Sequence, residues 1–177
     1  LPWRPFTERV RTLAPNALIS VDVTQALGRV VLDLEDADII ISSTHKWILG
    51  THGSCVIGVP EYSKERMTTH AGGWYHIENA FEKDRFERTV PRKGAASFSV
   101  GMPNFPAIYA LEAATRYILS VGVDAIAAHA DPLVEQLHEG MERLEQMPMA
   151  PRQLPGECSG IVSFQNPESE RIHQKME

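Results

Sequence analysis

Three short apolar runs crowd the first third of the chain: ALISVDV at 17–23, ADIIIS at 37–42 and SCVIGVP at 54–60. Each is too short for a stable helix and rich in β-branched residues. Each stops at an acid, a hydroxyl cluster or a proline, as strands in the interior of a sheet do. The connections between them are brief. The runs therefore predict a sheet buried on both faces, or a mixed sheet crossed by hairpins, in an α/β protein.

Beyond the third run, residues 61–93 lose apolar periodicity and carry charge, glycine and aromatic side chains, which reads as a long connection with one short helix. AASFSV (95–100) predicts a further strand. A helix is predicted over 104–121, where Ile108, Leu111, Thr115, Ile118 and Leu119 recur at three- and four-residue steps and Gly122 closes the element. Asp124 is placed to cap the next helix, whose stripe is Ile126, Ala130, Val134, Leu137, Met141 and Leu144. Pro132 predicts a kink or break in it near Asp131. The acids of 135–145 read as a solvated helix face. Pro148, Pro151 and Pro155 mark a boundary before GIVSFQ (160–165), read as a strand opening something new. The chain begins at Leu1 and closes in RIHQKME, which reads as the middle of a helix, so the expectation is a fragment of a longer protein.

Composition narrows the function. The net charge of −6, without a basic run interleaved with aromatics, gives no footing for nucleic acid. No apolar stretch approaches the roughly 18 residues of a bilayer span, and the opening lacks the charged lead and apolar core of a signal peptide. Cys55 and Cys158 offer neither a disulfide framework nor metal-ligand spacing, and Cys55 is expected to pack as a small buried hydrophobe. A cytoplasmic protein with no metal, membrane or nucleic-acid partner is the expectation.

The ends of the first two runs carry the chemistry. Asp22 closes the first, with Gln25 three positions on. The second ends in Ser42, Ser43, Thr44, His45 and Lys46. Ligands of open α/β sheets bind outside the carboxyl ends of the strands, so one crevice would receive an acid, an amide, hydroxyls, an imidazole and an amine. Pyridoxal 5'-phosphate needs that set. A lysine holds it as a Schiff base and later acts as a base, and a carboxylate keeps its ring nitrogen protonated. Hydroxyl, imidazole and backbone donors hold its phosphate, and an amide can meet its phenolic oxygen. A nucleotide-binding domain is disfavoured, because no glycine-rich phosphate loop follows a strand.

The segments DVTQALG, DLEDADIIISSTHKWILGTHGS and SFSVGMPNFPAIYALEAA resemble the class V aminotransferases of the fold-type I pyridoxal-phosphate enzymes, a family that includes cysteine desulfurases, kynureninases and isopenicillin N epimerase-like proteins. The resemblance runs from about residue 18 to residue 164. It implies a three-layer α/β/α large domain over 1–147, with 148–177 as the incomplete start of a C-terminal small domain. It places Lys46 at the Schiff-base lysine, Asp22 at the acid facing the pyridine nitrogen and Gln25 near the phenolic oxygen. Ser43 and His45 fall in the S-x-H-K pattern beside the cofactor phosphate, and Gly50 and Gly53 match small residues that turn the backbone away from the lysine. GGWY (72–75) resembles a Gly-Trp segment whose tryptophan, here Trp74, reaches the phosphate. Gly101 and Met102 match a Gly-Thr pair that binds the phosphate of the partner subunit; Met102 has no hydroxyl and could offer its backbone N–H.

The implied protein is a homodimer acting on a small amino acid, with amino transfer as the default reaction. Carbon–sulfur lyase or desulfurase chemistry and epimerisation are the alternatives within the enzyme class, and a non-catalytic scaffold is the alternative outside it. Cys158 precedes GIVSF, whereas the sulfur-accepting cysteine of the desulfurases lies much later, so it is not assigned that role. His52, His70 and His76 read as surface or supporting residues. The family's glycine-rich phosphate turn and its substrate-gripping arginine fall outside this sequence.

Overall fold

The structure, a computed structural model, describes residues 3–146, 148–149 and 160–176. Three of the sequence runs form one sheet. β1 (Ser20–Asp22) pairs in parallel with β2 (Ile39–Ser43), and β2 pairs antiparallel with β3 (Cys55–Gly58), giving the order β1-β2-β3. The mixed alternative is therefore the one adopted, with β2 central and the Lys46 segment forming the β2–β3 connection. Ile19, Val23, Ala37, Ile39 and Ile48 are buried around this sheet.

Helix α1 (Trp3–Leu13) docks by polar contacts. Arg4, Thr7 and Arg11 share one helical face and meet the acidic stretch 33–38. Arg4 bonds Asp33, the buried Thr7 hydroxyl donates to Asp36 at 2.9 Å, and Arg11 donates to Asp38 at 2.7 Å. Asp38 is 1% exposed and ties four segments together. Its carboxylate accepts from Arg11, from the Ile19 N–H at 2.8 Å and from the Ser63 hydroxyl at 2.5 Å, while Arg66 lies 3.7 Å away. Burial alone pushes this carboxyl up. The bonds from Ser63, Ile19 and Arg11 outweigh it, so Asp38 titrates below its ordinary value.

Several expectations are corrected. The 95–100 segment forms a 3-10 helix (Gly94–Phe98), because the Ser97 hydroxyl bonds back to Gly94 O at 2.9 Å and satisfies the turn locally, without a sheet ladder. A second 3-10 helix, Glu61–Arg66, is the short helix of the long connection. The buried face of α2 (Phe105–Val121) is set by Ala107 and Ile118, with Leu111 and Ala114 half-buried between them, whereas Ile108 and Leu119 are exposed. Small alanines permit close approach there, so the stripe is rotated by one position from the one read.

Gly122, at φ 88°, caps α3 (Val123–Arg143), so Asp124 sits inside the first turn, where its charge still suits the helix dipole. The helix continues through Pro132 without a break; its interior there is tied by Asp131, which forms an ion pair of 2.6 Å with Arg29. GIVSFQ contributes one bridge, Phe164 to Pro148, in place of a strand, and α4 (Ser169–Met176) follows. Pro151, Pro155 and Cys158 lie outside the described residues. The chain divides into two compact units, one holding α1, the sheet and most of α2, the other holding Gly28–Val31 and the chain from Ile118 onward. Among the described residues no single helix is long and apolar enough to cross a membrane.

Candidate active site

The carboxyl ends of β1 and β2 lie side by side because the strands are parallel and in register, with Asp22 opposite Ile41. Registered neighbours share a face, and Ser43, two residues beyond Ile41, returns to it. Thr24 joins the two ends. Its N–H donates to Asp22 Oδ1 at 2.8 Å, and its Oγ1 accepts the Ser43 N–H at 2.9 Å. The Thr24 hydroxyl and N–H hold the Asp22 carboxyl below its ordinary value, so it is ionised across the neutral range although exposed. Gln25 is exposed in the turn that follows.

Accessibility alternates through the end of β2: Ser42 and Thr44 are buried, Ser43 and His45 half-buried, and Lys46 exposed. Thr44 closes the Lys46 loop. Its hydroxyl donates, bifurcated, to the carbonyls of Thr51 and Ser54 at 2.5 and 3.1 Å, and its own carbonyl accepts the Gly50 N–H at 2.7 Å. A methyl group at Gly50 would lie 3.0 Å from the Thr44 Cβ, so the loop crosses itself where a side chain does not fit. Leu49, at φ 56°, is held in the left-handed region, a strain that surrounding bonds must enforce. His45 stacks on His52. Cys55 begins β3 opposite Ser43 and is exposed, which corrects its reading as buried: β3 is an edge strand, and among the described residues that end of it stays open.

Trp74 and Met102 come together elsewhere in the same unit. With Tyr75, Phe81 and Arg92 they line a cavity of about 530 Å³, to which no residue of the Lys46 loop contributes. Trp74 is 66% and Met102 79% exposed. Gly101 is exposed beside them. The two segments meet through Gly73, where an added Cβ would lie 1.9 Å from the Val100 carbonyl oxygen. His76, read as a surface or supporting residue, is buried and bonds the Ser97 carbonyl at 2.8 Å through Nδ1, fastening the segment from behind. The obstacle at Gly73 is backbone, which no rotamer change relieves. Gly73→Ala is expected to lower stability by about 1–3 kcal/mol, read as a lower urea midpoint at unchanged slope.

Thr24 and Thr44 carry the geometry of the site; Thr44 is among the hydroxyls read at the end of the second run but has no assigned contact there, and Thr24 is not named in that reading. Burial on the side of Ser42 is what picks out Thr44 from its neighbours, and that appears only in the folded chain. A pyridoxal phosphate fits the donor set found here: an ionised carboxylate, an exposed amine, a hydroxyl and an imidazole at two adjoining strand ends.

The family model for aminotransferase class V matches residues 2–175. A probable cysteine desulfurase of Pyrococcus abyssi is 31% identical over 157 residues, 86% of this chain and 37% of that protein. A cysteine desulfurase of Escherichia coli O9:H4 is 29% identical over 164 residues, 90% of this chain and 38% of that one. Among solved structures, the apo cysteine desulfurase of Thermococcus onnurineus superposes with a TM-score of 0.73 at 25% identity, over 96% of this chain and 44% of the other. An alanine–glyoxylate aminotransferase of Nostoc shares the fold at a TM-score of 0.70 and 19% identity, over 99% and 45%. This chain thus spans about two fifths of the length of its relatives. The family match along almost the whole sequence and the shared fold are the deciding findings: the chain belongs to the class V aminotransferases, a family of pyridoxal-phosphate enzymes with the fold-type I large domain.

Proposed function

We propose that the protein acts on an amino acid at its α-carbon with pyridoxal 5'-phosphate tethered to Lys46. The observation that carries this reading is the Asp22–Thr24–Ser43 chain of hydrogen bonds across two adjoining strand ends. When bound, the cofactor supplies an electron sink that lowers the barrier to breaking a bond at that carbon. Asp22 stays ionised at neutral pH and so favours a proton on the pyridine nitrogen. Ser43 and His45 would donate to the cofactor phosphate, and Gln25 would meet its phenolic oxygen. Lys46 Nζ would hold the cofactor and, as an exposed amine on the loop that Thr44 closes, would be the group of this chain that takes up the α-proton.

Of the possible outcomes we take amino transfer. A second reading, cleavage of a carbon–sulfur bond, is favoured by the cysteine desulfurase names of the relatives. A second copy of the chain completes the pocket in this proposal. The exposed Trp74, Phe81 and Met102 form an apolar surface of the kind a partner covers. The test is to supply the full-length protein with pyridoxal phosphate and a panel of amino acids that includes cysteine. A visible cofactor band and keto-acid release support amino transfer, sulfide or persulfide release supports the second reading, and a colourless protein that ignores the cofactor overturns both.

A further inference from the structure

We propose that His52 is a positioning residue that fixes the His45 imidazole for the cofactor phosphate; this deepens, and rests on, the reading of the Lys46 site above. The two rings lie face to face, with centroids 4.3 Å apart and planes 17° from parallel. Closure of the loop brings them together. Thr44 binds the carbonyls of Thr51, just before His52, and Ser54, two residues after it, so His52 is held from both sides. An imidazole at an open strand end would otherwise turn freely about its side-chain bonds. A flat stack removes that freedom and leaves the edge nitrogens of His45 presented in one orientation.

Charge acts in the same sense. Partial burial, then the neighbouring His52 and Lys46, push His45 below its ordinary value. A charge on the stacked His52 ring would repel a proton on His45, which is the sense of that shift. A neutral His45 keeps one N–H donor and one acceptor nitrogen.

The test uses the full-length protein and two variants, His52→Ala, which removes the ring, and His52→Phe, which keeps a stacking face without charge. Two quantities are read: the equilibrium affinity for pyridoxal phosphate by absorbance titration, and the midpoint of the His45 ring signals by NMR in cofactor-free protein. His52→Ala is expected to weaken affinity about three- to tenfold, the range that one lost aromatic pair converts to, and to raise the His45 midpoint. His52→Phe should restore affinity to near the wild-type value. Wild-type affinity and an unmoved midpoint in His52→Ala overturn the role of His52 alone. A wild-type protein that binds no cofactor overturns the reading of the Lys46 site, and this role with it.

Discussion

Lys46→Ala is expected to cut turnover of the full-length enzyme by about four orders of magnitude or more, since one amine serves as covalent tether and as base. The visible band of the bound cofactor should disappear with it. Stability should stay unchanged, because Lys46 is exposed and its loop is closed by Thr44 and Gly50, with no bond from the lysine amine. The comparison of interest is between two readouts, thermal unfolding and turnover with the best amino acid of the panel. Full turnover in Lys46→Ala would remove the lysine from the mechanism. A large fall in melting temperature would make it a structural residue.

At the other end of the sheet, Asp38→Ala should cause the largest loss of stability, about 3 kcal/mol or somewhat more at pH 7. Removing the carboxylate strands the Ile19 N–H and the Ser63 hydroxyl in a buried place and cuts the ties of Arg11 and Arg66. The two guanidinium groups are partly exposed and regain water, which keeps the cost near the lower end of the range for a broken buried ion pair. Asp38→Asn keeps the shape and loses the charge, and should fall between.

The pH dependence follows from the direction of the shift. Asp38 titrates below its ordinary value in the folded chain, so its stabilisation is fully present above the unfolded carboxylate value of about 3.9 and is lost as pH falls through the folded value. Urea unfolding at a series of pH values should therefore show a steeper acid loss in the wild type than in Asp38→Ala. Equal slopes would remove Asp38 from the acid limb.

The elements that could be read from residues alone are those whose signal is local. β1, β2 and β3 fall within apolar runs bounded by turn residues, and the helix before Gly122 announces itself by spacing. α1 carries an apolar stripe at Trp3, Phe6, Val10 and Leu13, but the face that meets 33–38 is Arg4, Thr7 and Arg11, a polar docking that periodicity does not announce. The 95–100 segment looked like a strand by composition, yet a hydroxyl bonding three residues back made the turn self-sufficient. In the candidate site, the placement of Asp22, Ser43, His45 and Lys46 at two adjoining strand ends was legible because it depends on short spacing along the chain. The contacts of Thr24 and Thr44 were not, since nothing in their own neighbourhood says which carbonyl or N–H they will meet.

By itself, then, the sequence determined an α/β chain with three sheet runs and a cluster of hydroxyl, imidazole and amine side chains behind the second, since β-branched content and turn residues act over a few positions. Tertiary structure decided the antiparallel return of β3, the locking of the Lys46 loop by Thr44, and the meeting of Trp74 with Met102 across the Gly73–Val100 contact. Those outcomes join residues distant along the chain, where register, backbone clearance and buried hydrogen bonds choose among folds that local propensity leaves equal.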